Sequence, residues 1–323
     1  MIKMYNLISD FDLATDLLTE LKERKLSLKS FYILDNYFEV LHQSQSVSRP
    51  YFSNSLGRKE LTNFFLREIV DKKKKQVIIS LECEDGILRE EKEILEVAYK
   101  KGARFIYIGV DASKYIPLEV DKKFKGCDFE KHFICANFQA HNFRTEIGYL
   151  IDEYPNKVFI LGKTIVNIKS TVLADTISNI LKKDDLFWIE YLSLRTGLNK
   201  EDDFKTFDAY VKYLDEPKIM NHYFHPLEYV GVPFENGKMI VDMEYEDSAG
   251  ALNFIYSFYF KKKTKINFRG EEIIFLPKEK VELTSIRVFD MNTFVQFFEA
   301  HNFKCIASEK RGNEGQFLFK KTK

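Results

Sequence analysis

The feature that most constrains the fold of this chain is a rhythm. Between residues 77 and 192, short and mostly apolar runs alternate with longer segments that carry charges at helical spacing. The runs are Val77-Ile-Ile-Ser-Leu81, Arg104-Phe-Ile-Tyr-Ile-Gly-Val110, His132-Phe-Ile-Cys-Ala136, Val158-Phe-Ile-Leu161 and Leu186-Phe-Trp-Ile-Glu-Tyr-Leu192. Each is too short for a helix and lacks the apolar/polar alternation of a strand with one wet face. Strands buried on both faces belong to a parallel sheet covered by helices. Glu90 to Lys101, stopped at Gly102, and Ser170 to Leu181 read as two of those helices. The fold class is therefore α/β.

The flanks follow other patterns. Residues 1 to about 70 read as helical on the spacing of Phe11, Leu17, Leu18 and Leu21, then of Phe64, Phe65, Ile69 and Val70, with a turn-rich stretch from Ser46 to Gly57 between them. After Leu192 the strand–helix rhythm lapses. Residues 195–285 are rich in aromatics, include β-like stretches at Ala251 to Phe260 and Thr264 to Phe275, and read as an inserted α+β cap. The core pattern returns with a helix from Asp290 to His301, a strand Lys304 to Ala307, the turn Arg311-Gly-Asn-Glu-Gly315 and a strand Gln316 to Phe319, a terminal antiparallel hairpin. The expected organisation is a helical segment 1–60 that contributes to the cap, a core of 61–194 and 286–323, and the insertion 195–285. With only 14 Gly and 7 Pro in 323 residues, no flexible linker separates these parts.

Charge and cysteine usage narrow the function. Lys and Arg number 49 and Asp and Glu 49, so the chain lacks the overall positive field of most nucleic-acid binders, and a small-molecule partner is favoured. The lysine runs Lys72 to Lys75 and Lys261 to Lys263 carry no interleaved aromatics and read as solvated loops. Four cysteines, Cys83, Cys127, Cys135 and Cys305, form no CxxC pair and suit a reducing, cytoplasmic setting. Asp10, Asp12 and Asp16 interrupt any apolar leader, and no run of about 18 uncharged apolar residues occurs, so neither export nor membrane spanning is expected.

In an open parallel sheet, ligands sit beyond the carboxyl ends of the strands where strand order reverses. The loop after the first strand is Leu81-Glu-Cys-Glu-Asp-Gly86, whose lone glycine and three carboxylates oppose a pyrophosphate. NAD, FAD and nucleoside triphosphates are disfavoured there; the sulfonium or ammonium of S-adenosylmethionine (SAM) suits Glu82, Cys83, Glu84 and Gly86 better. Asp111 ends the second strand, where a carboxylate takes hydrogen bonds from a ribose diol or, alternatively, caps the following turn. Asn137-Phe138 follows the third strand and offers an amide edge and a ring face to an adenine. Gly162 terminates the fourth strand, and Asn167 lies one turn on, either as a substrate amide or as a cap of the next helix.

This order of elements resembles the class I SAM-dependent methyltransferases, and within them the histidine-specific family that includes the ergothioneine-pathway enzyme. Arg49-Pro-Tyr-Phe-Ser-Asn-Ser-Leu-Gly-Arg-Lys-Glu60 is similar to the family's tyrosine-containing segment ahead of the core, Ile108-Gly-Val-Asp-Ala-Ser113 to its strand end, Asn137-Phe138 to its Asp-Phe adenine contact, and Leu161-Gly-Lys-Thr-Ile-Val-Asn167 to its Leu-Gly-Ser-Thr-Ile-Gly-Asn motif. The likeness spans residues 49–320. It implies a Rossmann-like core, SAM as cofactor and Asn167 as a substrate contact. Two departures qualify it: the family's glycine-rich first loop is replaced by Glu82-Cys83-Glu84-Asp85, and its late Thr-Glu-Ile-Ser segment falls near Glu282-Leu-Thr-Ser-Ile286 only with a shifted register. Histidine as substrate is therefore not expected.

Methyl transfer is an in-line displacement that needs alignment and a route for a proton, with no metal and no covalent intermediate, so no catalytic residue is singled out. Asn167, Tyr51 and Tyr213 are the expected substrate contacts, the tyrosines through a ring face that holds a cationic amine; core packing is the alternative for both tyrosines. His222-Tyr-Phe-His225 has a metal-ligand spacing, but no third ligand is near and Pro226 is expected to break the helix there. No Gly-x-Ser-x-Gly elbow occurs, and the neighbouring carboxylates make Cys83 a poor nucleophile. Two functions compete: a SAM-dependent methyltransferase acting on a small amine or amino-acid-like acceptor, and a non-catalytic binding or scaffold protein with a degenerate cofactor loop, for which the many Phe and Tyr offer a protein-partner surface.

Overall fold

A computed structural model describes residues 2–33, 59–70, 75–81, 85–113, 124–138, 143–195, 199–246 and 249–323. The chain divides into two compact units. The first comprises Met1–Ile8, Tyr51–Leu194 and Phe289–Lys323, and the second Ser9–Pro50 and Arg195–Val288. The turn-rich stretch from Ser46 to Gly57 lies outside the described residues. Residues 286–288, expected in the core, belong to the second unit.

The chain opens with β1 (Ile2–Asn6), which pairs in parallel with a later strand of the first unit. This corrects the helical reading of the first residues: the helix starts only at α1 (Asp10–Glu23). Ser9 fixes that start, because its Oγ accepts the Asp12 N–H at 3.1 Å while Asp12 Oδ2 accepts the Ser9 N–H at 3.0 Å, so two orphan donors are satisfied reciprocally. A 3₁₀ turn (Leu28–Ile33) and α2 (Lys59–Val70) follow.

The alternating rhythm then appears as β2 (Gln76–Ser80), α3 (Asp85–Lys100), β3 (Phe105–Asp111), β4 (Glu130–Cys135), α4 (Phe143–Ile151), β5 (Asn156–Leu161), α5 (Ser170–Ile180) and β6 (Leu186–Ser193). Every residue of β2 and β3 is buried, as expected for strands covered on both faces. Trp188 of β6 meets Phe65 of α2 at 4.3 Å between ring centres, which ties the helix to the sheet.

The second unit adds α6 (Lys200–Leu214), α7 (Pro217–Tyr229), β7 (Gly237–Glu246), β8 (Ala251–Phe260), β9 (Thr264–Phe268), β10 (Glu271–Phe275) and β11 (Lys280–Phe289), the last residue of β11 falling in the first unit. Its three-stranded sheet has the order β11-β8-β7, and β9 and β10 form a separate hairpin. Leu17 and Leu21 of α1, Phe224 and Leu227 of α7, and Phe258, Phe260 and Phe275 share one core. The two insertion helices carried no clear signal in the sequence, and α7 runs through Pro226 where a break was expected. Proline removes one backbone donor and crowds the preceding turn. Burial of Phe224, Pro226 and Leu227 offsets that cost.

The first unit resumes with α8 (Met291–Ala300), β12 (Phe303–Arg311) and β13 (Glu314–Lys321). Asp290 caps α8 by accepting the Thr293 N–H at 2.8 Å. The completed sheet has the order β1-β4-β3-β2-β5-β6-β13-β12. Its pairings are parallel from β1 to β6. The strand β13 runs antiparallel between β6 and β12. The architecture is therefore a Rossmann-like parallel sheet closed by a terminal antiparallel hairpin, with additional antiparallel sheets in the second unit.

Candidate functional site

Strand order locates the site. From β2 the chain winds outward through β3 to β4, then returns to place β5 on the other side of β2. In doubly wound sheets ligands bind beyond the carboxyl ends of the two central strands at such a reversal, which here end at Ser80 of β2 and Leu161 of β5. The ends of β3 and β4 flank it, with Asp111 and Cys135 as register partners.

Asp111 is the last residue of β3 and only 6% exposed. Its Oδ1 accepts the Ser113 N–H at 2.8 Å. An aspartate that binds the backbone two residues on closes an Asx turn, so the capping alternative is realised for this oxygen and the side chain is held in one orientation. The backbone is equally fixed, since the Asp111 carbonyl accepts the Ala136 N–H at 2.8 Å.

Asn137 and Phe138 follow β4. The amide residue is half-buried, whereas the Phe138 ring is 7% exposed and edge-on to Phe143, 6.4 Å away. Most of that ring is thus taken up by packing. Gly162 follows β5 and is buried at the head of a 3₁₀ turn (Lys163–Asn167). Asn167 closes this turn and is half-buried. Lys169 stands at the cap position of α5, and its own side chain makes no capping bond.

The first loop divides between what is described and what is not. Gly86 lies in the first turn of α3, so the loop leads directly into a helix N-terminus. Glu82, Cys83, Glu84 and Tyr51 lie outside the described residues. Asp111 ends β3, and Asn137, Phe138 and Gly162 follow within three residues of the carboxyl ends of β4 and β5; Gly86 and Asn167 lie further along their connections. Tyr213 belongs to the other unit, near the end of α6, where burial and then the Glu216 carboxylate raise its hydroxyl pKa.

The second unit also holds groups that the sequence reading missed. Arg195 and Asp203 form a buried forked pair: Nη2 reaches Oδ1 at 2.7 Å and Oδ2 at 2.8 Å, and Nε reaches Oδ1 at 3.2 Å. The guanidinium lies 5.0 Å from the centre of the Tyr245 ring. Eight residues separate the pair across the start of α6, and the Asn199 cap that begins this helix is the one local signal for it. Among the described residues, no three His, Cys, Asp or Glu side chains are grouped to hold a metal ion.

No family model matches the chain, and no curated protein matches it. Solved structures with related topology include the CcbJ methyltransferase from Streptomyces caelestis, at 8% identity and a TM-score of 0.41 over 85% of this chain and 100% of that one. The CMeT domain of the citrinin polyketide synthase aligns at 9% identity and a TM-score of 0.46 over 97% of this chain and 64% of that one. A protein assigned to the Zn-dependent alcohol dehydrogenases of Rhodobacter sphaeroides aligns at 10% identity and a TM-score of 0.45, over 88% of this chain and 96% of that one. Likenesses this distant extend to proteins of different activity.

Proposed function

We propose that the chain is a SAM-dependent methyltransferase that acts on a small amine or amino-acid-like acceptor. One observation carries the reading: a doubly wound sheet that reverses between β2 and β5, carries a terminal strand antiparallel between β6 and β12, and ends the strand beside β2 in a carboxylate. Fold alone does not specify chemistry, so the residues at the reversal matter.

Those residues fit a cationic nucleoside better than a phosphorylated one. The first loop carries Glu82, Glu84 and Asp85 where a pyrophosphate would need glycines and an open helix terminus. Asp111, at the end of its strand with Oδ1 bonded by the Ser113 N–H, is the group we assign to the hydroxyls of a ribose. Asn137 is the group for the adenine edge, and Gly162, at the end of β5, is the backbone position we assign beside the cofactor. Asn167, at the end of the 3₁₀ turn that follows β5, is the group we assign to orienting the acceptor, with Tyr51 as a further contact. When bound, SAM supplies an electrophilic methyl group; the residues named here hold and align the reactants and exclude water. A cytoplasmic setting accompanies the reading, and Cys127, Cys135 and Cys305, none of which is in a disulfide, are compatible with it. Among the described residues, no helix is long and apolar enough to cross a membrane.

A second reading, a binding or scaffold protein that retains the fold without the cofactor, is favoured by the missing glycines of the first loop and by the Phe138 ring being taken up in packing. Titration calorimetry with SAM and with its demethylated product separates the two. Saturable heat with either compound is expected. Loss of one hydrogen-bonding carboxylate in Asp111→Ala should weaken binding about tenfold or more, with an unchanged far-ultraviolet circular dichroism spectrum. No heat with either compound at millimolar concentration overturns the enzymatic reading and leaves the scaffold.

A further inference from the structure

The second unit contains a crevice of its own. It has a volume of about 650 Å³ and lies between one face of α7 and the chain that follows that helix, with Asn221, Phe224, His225, Glu228, Phe234 and Glu235 among its lining residues. Its size falls within the roughly 300–1,000 Å³ typical of small-molecule sites.

The walls are preformed. The Gly231 N–H bonds the Glu228 carbonyl at 2.9 Å and the Val232 N–H bonds the Leu227 carbonyl at 2.9 Å, a helix-ending pattern that Gly231 permits with φ +87°. The next turn is fixed at both sides: Asn236 N–H bonds the Pro233 carbonyl at 3.0 Å, and Asn236 Nδ2 bonds Thr264 Oγ1 at 3.0 Å. The apolar floor is aromatic. Phe224, buried in the core, meets Phe234 edge-on at 4.9 Å, and Phe234 remains 38% exposed. A large aromatic left that open beside a concavity is surface a flat apolar ligand would cover.

The polar lining selects the ligand's charge. Among the described residues Glu228 is paired with the ring of His225, Nδ1 to Oε2 at 3.1 Å, and its side chain stays 68% exposed. Glu235 stands at the turn as a second, exposed carboxylate. Lys218 is the one lysine or arginine of the lining, against these two acids. Aromatic rings next to carboxylates attract a cation by two routes, the ring quadrupole and direct charge.

We infer that this crevice binds an organic cation with a flat apolar body, an arylalkylamine in chemical class: the apolar body covers Phe234 and the ammonium meets Glu228 and Glu235. The inference does not depend on the proposed methyl transfer. The test uses the full chain, ¹⁵N-labelled, titrated with phenethylammonium chloride and, in parallel, with neutral 2-phenylethanol. Saturable shifts are expected at the amides of Gly231, Val232, Phe234 and Glu235 with the amine, and much smaller ones with the alcohol. The double substitution Glu228→Gln/Glu235→Gln, at two exposed positions, should weaken amine binding about tenfold while leaving the rest of the spectrum in place. Equal response to amine and alcohol, an affinity indifferent to the double substitution, or no saturable shift at millimolar amine each overturns the proposal.

Discussion

Removing the carboxylate of Asp203 isolates the physics of the second unit's buried charge. Arg195 and Asp203 have side chains only 5% and 9% exposed, joined by three contacts of 2.7 to 3.2 Å. In Asp203→Ala the guanidinium loses its counter-charge but stays buried, a situation that costs about 3–5 kcal/mol. The Tyr245 ring, 5.0 Å from the guanidinium carbon, is there before and after the substitution and cancels, so the expected loss stays at about 3–5 kcal/mol. Urea unfolding followed by circular dichroism, fitted to two transitions because the chain forms two units, should show one transition moved down by about 1–2 M urea. The double replacement Arg195→Met/Asp203→Leu, which removes both charges, should recover most of that loss. A cost below about 1 kcal/mol for Asp203→Ala, or a double variant less stable than the single one, would refute the reasoning, because the pair would then be behaving as a solvent-screened one.

Two further outcomes follow from individual residues. Burial and the neighbouring His225 push the His222 pKa down to about 4, beside the stacked Phe31 ring. Its unfolded value is near 6.5, so the unfolded chain binds the extra proton between these two pH values. Stability should therefore fall as pH drops from about 6.5 to about 4, by about 2 kcal/mol because the ring keeps some contact with solvent. His222→Phe should flatten that part of a melting-temperature profile; an unchanged slope would assign it to other groups. Gly237→Ala places a methyl group within 2.5 Å of the Phe258 ring and nearer still to the Tyr259 carbonyl, so a loss of about 2–3 kcal/mol in chemical denaturation is expected, and a neutral effect would show that β7 and β8 separate easily.

What the sequence disclosed divides along the distance over which each signal acts. The five core strands were legible because both of their faces are buried, which leaves an apolar run that needs no partner to be recognised. The hairpin at the end was legible from its turn, since Gly312 takes φ +61° between two apolar runs. Strand order was not legible: the place of β13 between β6 and β12 depends on pairings more than a hundred residues apart. Strand β1 was missed because five residues, Ile2 to Asn6, give too short a pattern, and its pairing with β4 supplies what local propensity does not. Pro226 misled for the opposite reason, as a local rule overruled by the burial of its neighbours. At the site, Asp111 was placed correctly at a strand terminus, and the Asx turn that it closes had been one of two alternatives. The packing of Phe138 against Phe143 depends on a helix that the sequence left unassigned.

The interleaving of the two units bears on how the polypeptide comes off the ribosome. The opening strand must wait for Glu130–Cys135 to emerge before it finds its neighbour, and the slot beside Leu186–Ser193 stays vacant until the last strand, Glu314–Lys321, is synthesised. The other unit, begun at Ser9, cannot close until Val288. Neither unit comes from one continuous stretch of chain, so nascent chains halted before residue 314 leave the first unit's sheet unfinished and should be substrates for chaperones and proteases.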